Sequence, residues 1–264
     1  INLLLLAFAL LMILPFIWMF STSLRLPAES FTLPPEWIPR RIILSNYTQV
    51  FELVPFFAFF KNSLFVSSVT TVGQLFTCSV AAYAFARLRF PGKAIVFMLL
   101  MSSLMVPGYM TIVPVFAIIR GLNLADTHWA LILPALTSAF GIFLLRQFFM
   151  GIPMDLEDAA RIDGAGWFQA TRAVTLPMLS PTIFFLLVVS TIKAFQAFNS
   201  FYAMTGNGRG PQNTTQNLTV YIYANFYEFG RIGYGCAVAT LLALGIVVMT
   251  ALQWRVAGRR VHYE

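Results

Sequence analysis

Charge is what this sequence has least of. Asp, Glu, Lys and Arg make up 10% of its 264 residues, against about 25% in a soluble globular domain. Hydrophobic side chains account for 59% and the mean hydropathy is +0.78, which excludes a water-soluble fold. Cysteine and histidine are nearly as scarce. Cys78 and Cys236 lie inside apolar stretches with no His or second Cys at metal-ligand spacing, and His128 and His262 are isolated, so neither a metal cluster nor a catalytic pair is on offer. The glycine-rich loop that cradles nucleotide phosphates is missing. Basic residues outnumber acidic ones, 17 to 10, but they are scattered between apolar blocks without the clustering that nucleic-acid binding requires.

What is present is a series of long uncharged runs. A helix crossing the roughly 30 Å hydrocarbon core needs about 20 mostly apolar residues, and an ionised side chain at mid-bilayer costs at least a few kcal/mol. The runs 1–24, 62–86, 94–119, 127–145 and 232–254 carry no charge, and 181–205 is interrupted only by Lys193. These predict six spans in one transmembrane domain, 1–264, with both termini on the same side. Residues 1–24 are too long for a signal-peptide core and lack a small-residue cleavage pattern after them, so they read as a retained span. The chain begins at Ile1, so an N-terminal piece is expected to precede it. No internal repeat is visible.

Orientation follows from the basic residues of short loops. Arg87, Arg89 and Lys93 fall within seven residues, and Arg255, Arg259 and Arg260 close the chain, so both places are expected on the cytoplasmic side. Residues 25–61, 120–126 and 206–231 then fall outside, although Arg40 and Arg41 work against the asymmetry. Pro107, Pro114, Pro134, Gly73, Ser67, Ser68, Thr70 and Thr71 lie within spans, where small and kinking residues serve close helix packing.

The long loop 150–180 between the fourth and fifth spans is different. From Gly151 it reads GIPMDLEDAARIDGAGWFQATRAVTLPMLSP. Pro153 suits the first turn of a helix, and Asp155, Glu157 and Asp158 then sit near the positive end of its dipole. Asp163 and Gly164 provide a turn that ends it, predicting positive φ at Gly164. A second helical run, 167–176, is expected to break at Pro177 and Pro181. A helix this short cannot cross a membrane, so it presents its surface to a soluble partner or simply to water.

Asp158, Ala159 and Ala160, Gly164 after three further residues, then Val174, Leu176 and Pro177 after nine more, fall on the spacing of the EAA loop. The chain thereby resembles the permease subunits of bacterial ABC importers, in the carbohydrate branch of the maltose-permease type, with Asp158 and Val174 replacing the usual Glu and Ile. The resemblance extends over nearly the whole chain. It implies an all-α membrane protein of six transmembrane helices, the type I ABC importer permease fold with a cytoplasmic EAA coupling helix. It also implies a non-catalytic subunit in the bacterial inner membrane, with both termini cytoplasmic. The expected partners are a second permease subunit, a different chain, two ATP-binding subunits that carry ATP and Mg, and an extracytoplasmic solute-binding protein that meets the Gly- and Asn-rich loop 205–228.

In that picture the expected docking surface is Glu157, Asp158, Ala159, Ala160, Arg161, Gly164, Leu176 and Pro177, with no cofactor on this chain. Closure of the ATPase dimer would pull on spans five and four. Sugars bind through aromatic rings, amides and hydroxyls, which points to Lys193, Phe195, Gln196, Phe198, Asn199, Phe201 and Tyr202 in span five as pathway candidates, against a packing role for any one ring. Lys193 could alternatively snorkel toward the cytoplasmic interface. An ion-coupled secondary transporter is the other class considered. It commonly places carboxylates inside its spans, whereas all ten Asp and Glu here lie in loops or near span ends.

Overall fold

In hydrocarbon every backbone N–H and C=O must find a partner within the protein, which a helix achieves within one segment. The computed structural model describes residues 2–26, 29, 37–205 and 215–258, and its regular structure is helical throughout. Helices α1 (Asn2–Ser23), α2 (Ser45–Leu53) and α3 (Phe56–Arg87) are followed by α4 (Lys93–Ser102), α5 (Gly108–Gly121), α6 (His128–Ala135) and α7 (Ala139–Gly151). Then come α8 (Met154–Ile162), α9 (Trp167–Ala170), α10 (Leu176–Phe195), α11 (Asn199–Met204), α12 (Leu218–Tyr223) and α13 (Ile232–Val256). Arg259, Arg260 and the 206–214 part of the Gly- and Asn-rich loop lie outside the described residues.

Helix α3 organises the bundle. Its residues enter three apolar clusters in turn: Phe56 and Phe59 pack with Phe195, Leu218 and Val238, Val66 with Ile132, Phe201 and Val220, and Cys78 and Ala82 with Ile142, Leu145 and Leu179. The helix starts six residues before the expected span and, at 1.5 Å per residue, is about 48 Å long. By contrast α1 joins the bundle only at its end. Ser21, Thr22 and Ser23 are buried, whereas Leu3 to Leu6 are more than 60% exposed, which costs nothing against lipid tails as apolar as leucine itself.

The third expected span is not a straight helix. Residues Lys93–Met105 and Gly108–Gly121 form a pair bent by 107°. Pro107 forces the preceding Val106 out of helical geometry, to φ −83° and ψ 116°, and has no N–H to carry the helix on. The pair nonetheless makes one crossing. Phe97 lies 5.4 Å from Phe85 near the Arg87 end of α3, while Ile119 packs with Val66 toward the other end, and those levels are about 28 Å apart along α3.

Two further spans depart from their expected bounds. The fourth runs on from 145 to Gly151, because Arg146 does not end it. Its Nε donates to the Phe85 carbonyl at 3.3 Å, and its guanidinium lies 4.2 Å from the Phe97 ring. The fifth is continuous from Phe168 to Phe195, so Pro177 and Pro181 do not break it. A π-turn at Thr171–Thr175, in which the Leu176 N–H reaches back to Thr171, widens the helix just where the ring of Pro177 would otherwise strike a carbonyl. The Ser180 hydroxyl then donates at 2.6 Å to the Pro177 carbonyl, which Pro181 cannot serve. The helix does stop at Phe195. Thr219 donates to the Phe195 carbonyl at 3.2 Å and Asn217 to that of Ala197 at 2.8 Å, so side chains of the returning segment take the carbonyls that the helix leaves open.

Candidate functional site

The short helix α8 follows Pro153, as its acidic first turn predicts. Ala165 N–H bonds the Ala160 carbonyl at 2.9 Å and Gly164 has φ +86°, the left-handed closure that glycine alone adopts without strain. The helix presents Met154, Leu156 and Ile162 outward, at 53%, 43% and 85% exposure, and Phe168 on α9 is 68% exposed. Asp158 and Ala159 are exposed, as are Gly164 and Leu176, while Ala160 and Pro177 are half-buried. Arg161 belongs to the same helix, with its side chain outside the description.

Glu157 departs from the expected docking surface. It is 6% exposed, and its carboxylate lies 3.1 Å from the guanidinium of Arg87, both side chains being 8% exposed. Arg87 also donates to the Ile152 carbonyl at 2.9 Å. At about 100° per residue, α8 turns Glu157 inward and Leu156 and Asp158 outward, so Glu157 fastens α8 to the last residue of α3. The helix is therefore tied to the second span as well as joined in sequence to the fourth and fifth.

No atom lies within 4 Å of a Cβ built on Gly164, so Gly164→Val should cost backbone strain on the order of 1–3 kcal/mol rather than a clash. The expected outcome is a frayed α8 end, read as faster amide exchange around residues 160–166, in a protein that still inserts. An unchanged amide-exchange pattern there would show that the turn does not depend on glycine.

The second feature is a cavity of about 250 Å3 bounded by α3, the joint between α6 and α7, α10 and α11. Its polar lining is Thr70, Gln74, Thr137, Ser138, Ser190, Lys193 and Ser200. The joint is held open by α3: Thr77 donates to the Leu136 carbonyl and the Cys78 thiol to that of Ser138 at 3.5 Å, while Ser138 Oγ accepts from Gly141 N–H at 3.2 Å. Gly73 makes this approach possible, since a Cβ there would sit 2.4 Å from Leu136 Cδ2. Gln74 lies about 20 Å along α3 from Arg87 and about 27 Å from Phe56, so the cavity is at mid-depth.

Of the expected pathway residues, only Lys193 and Phe201 line this cavity. Lys193 is level with Gln74, with Nζ 5.7 Å from the Phe140 ring centroid, and does not snorkel to the Arg87 end. Phe195 and Phe201 are core, at 1% and 2% exposure. Phe198 and Tyr202 stack on each other at 5.4 Å, and both rings meet Tyr223, Phe198 tilted at 4.9 Å and Tyr202 edge-on at 5.6 Å. Gln196 and Asn199 are exposed at the break after α10 but do not line the cavity. Thr70 and Gln74 were missed as lining residues, although Val66, Thr70 and Gln74 recur every four residues, a stripe along one side of an apolar helix.

The sequence matches the family described as "Binding-protein-dependent transport system inner membrane component" over residues 38–261. It is 31% identical to the sulfoquinovosyl glycerol transport system permease protein SmoH of Agrobacterium fabrum, over 90% of this chain and 82% of that protein. It is 30% identical to the inner membrane ABC transporter permease protein YcjP of Escherichia coli, over 94% and 89%. Identity is 38% to the trehalose transport system permease protein SugB of Mycobacterium tuberculosis, over 64% and 62%. The fold is similar to that of a chain in the crystal structure of a bacterial ABC transporter involved in the import of the acidic polysaccharide alginate, with TM-score 0.78 and 22% identity over 97% of this chain and 94% of that one.

Proposed function

Because this chain belongs to the family of binding-protein-dependent transport system inner membrane components, we propose that it forms half of the translocation pathway of an ATP-driven importer for a sugar or sugar-like solute. It does so beside a second, different permease chain, with two ATP-binding subunits holding ATP and Mg at the Arg87 end and an extracytoplasmic solute-binding protein at the other. The chain is non-catalytic and crosses the inner membrane six times with both termini cytoplasmic. Support for a sugar comes from relatives named for sulfoquinovosyl glycerol and trehalose transport.

The observation that carries the mechanism is the pairing of two sites along α3. At one end Arg87 holds α8, whose outer surface sets Leu156 and Ile162 beside the exposed carboxylates of Asp155 and Asp158; at mid-depth Thr70 and Gln74 face the cavity. ATP-driven closure of the partner subunits moves α8, and α3 carries that displacement to the cavity wall, so access switches from one side to the other. The absence of Asp and Glu from α3, α6, α7, α10 and α11 weighs against ion-coupled transport.

The test is uptake of labelled sugars into proteoliposomes holding the complete importer and its binding protein. Gln74→Ala should lower uptake about tenfold, by removing a mid-pathway amide, with ATPase association intact. Gln196→Ala and Asn199→Ala should stay within about threefold of the parent. Each good hydrogen bond to a neutral group is worth about 1 kcal/mol, and more where a buried partner is left unpaired. If Gln74→Ala transports normally while Asn199→Ala does not, the pathway runs past the α10–α11 break instead. Uptake that persists without ATP, driven by an ion gradient, would overturn the importer reading.

A further inference from the structure

We infer that the mid-depth cavity selects for negative charge, and that the solute it passes is a saccharide bearing a carboxylate, sulfonate or phosphate. The inference rests on the sugar-importer reading and narrows it.

Lys193 carries the argument. It is exposed and lines the cavity with Thr70, Gln74, Thr137, Ser138, Ser190 and Ser200, about 20 Å along α3 from the Arg87 end. A cation at that depth is expensive unless it faces water or an anion. Among the described residues no carboxylate lines the cavity or the recess of about 50 Å3 beside it. The five helices that build the walls contain no Asp or Glu anywhere along their length. The protein-side partner of Lys193 is the Phe140 ring at 5.7 Å, a neutral group.

A charge of one sign in a cleft with low-dielectric walls focuses the field and concentrates ions of the opposite sign. The neutral lining suits the rest of a sugar: hydroxyls of Ser and Thr both donate and accept, and the Gln74 amide offers one oxygen and two N–H donors. A neutral sugar would need only those groups. An uncompensated ammonium at the same place adds preference for an anionic substituent.

The experiment measures the field without assuming the solute. In the assembled importer, Cys78 and Cys236 are replaced by Ala and Ser190→Cys puts a thiol one helical turn from Lys193. Its modification rate is measured with a sulfonate-bearing and a trimethylammonium-bearing methanethiosulfonate, each transferring its thioalkyl group to the thiolate with release of methanesulfinate. Relative to a small free thiol, the sulfonate reagent should be favoured about tenfold. The preference should vanish with Lys193→Gln and return with Lys193→Arg. An equal ratio with and without Lys193, or no reaction with either reagent, overturns the proposal.

Uptake of digalacturonate and maltose by the complete importer is the second arm. Digalacturonate uptake should fall at least tenfold in Lys193→Gln and persist in Lys193→Arg, with ATPase association unchanged. Maltose uptake alone, indifferent to Lys193, overturns the anionic-solute reading. Transport of neither saccharide, with the modification preference intact, upholds the anion-selecting cavity and sinks the sugar reading.

Discussion

Replacing Glu157 by Leu should destabilise the purified importer by about 3 kcal/mol and largely abolish solute-stimulated ATP hydrolysis, with the ATPase subunits still attached. The reason is the ion pair at 3.1 Å between Glu157 and Arg87, both 8% exposed. Removing one partner of a buried pair leaves the other charge uncompensated, which costs about 3–5 kcal/mol. Arg87 would keep its bond to the Ile152 carbonyl but lose its counter-charge, and α8 would lose its fastening to α3. Replacing both residues, with Arg87→Met and Glu157→Leu together, removes both charges from the same space, an exchange that is often neutral or stabilising. The double variant should recover stability to within about 1 kcal/mol of the parent, measured by thermal unfolding in detergent. Should Glu157→Leu instead release the ATPase while unfolding at the parent temperature, Glu157 would be a docking residue facing the partner, as its position beside Asp158 first suggests.

The second large effect is expected on the outer surface of the same helix. Leu156→Glu and Ile162→Glu together should strip the ATPase subunits from the complex. Leu156 and Ile162 are 43% and 85% exposed, and Met154 and Phe168 are 53% and 68% exposed. On a water-bathed loop such side chains gain nothing, whereas a protein partner would bury each for about 1.5–3 kcal/mol. Losing two such contacts weakens association by roughly a hundredfold or more. The comparison variant is Leu122→Glu, exposed after α5 at the opposite end of the bundle, which should keep a full complement of ATPase. Co-purification at moderate salt decides the matter, and retention of ATPase by the double variant would make α8 a solvated surface helix. Charge reversal at Asp158 alone is the matching electrostatic test, because Asp158 faces outward and Glu157 does not.

Membrane residence, six crossings and the short acidic helix between the fourth and fifth spans were legible in the residues themselves. Each is a one-dimensional property: a run of about 20 residues without charge can only be satisfied in lipid, and Pro153, the acidic turn and Gly164 are local helix signals. The spacing Asp158, Ala159, Ala160, Gly164, Leu176 and Pro177 carried the family on its own. Charge counting misplaced the ends of spans where side chains solved the problem in three dimensions. Arg146 stays within the fourth helix because Phe85 and Phe97 receive it, and Pro177 stays within the fifth because a π-turn precedes it.

Only the tertiary structure decided which side chains face one another. Glu157 and Asp158 are chemically near-equivalent neighbours in sequence, yet about 100° of helical rotation sends one to Arg87, seventy positions earlier, and leaves the other exposed. The sequence put the pathway candidates at Lys193 and in the aromatic stretch after it; packing buries Phe195 and Phe201 in the core and gathers Lys193, Thr70 and Gln74 around one cavity. Local composition determines which segments become helices and in what solvent. The rotation of each helix about its axis depends on contacts with neighbours remote in the chain, so the lining of a cavity shared by four helices and the α6–α7 joint was decided by the fold.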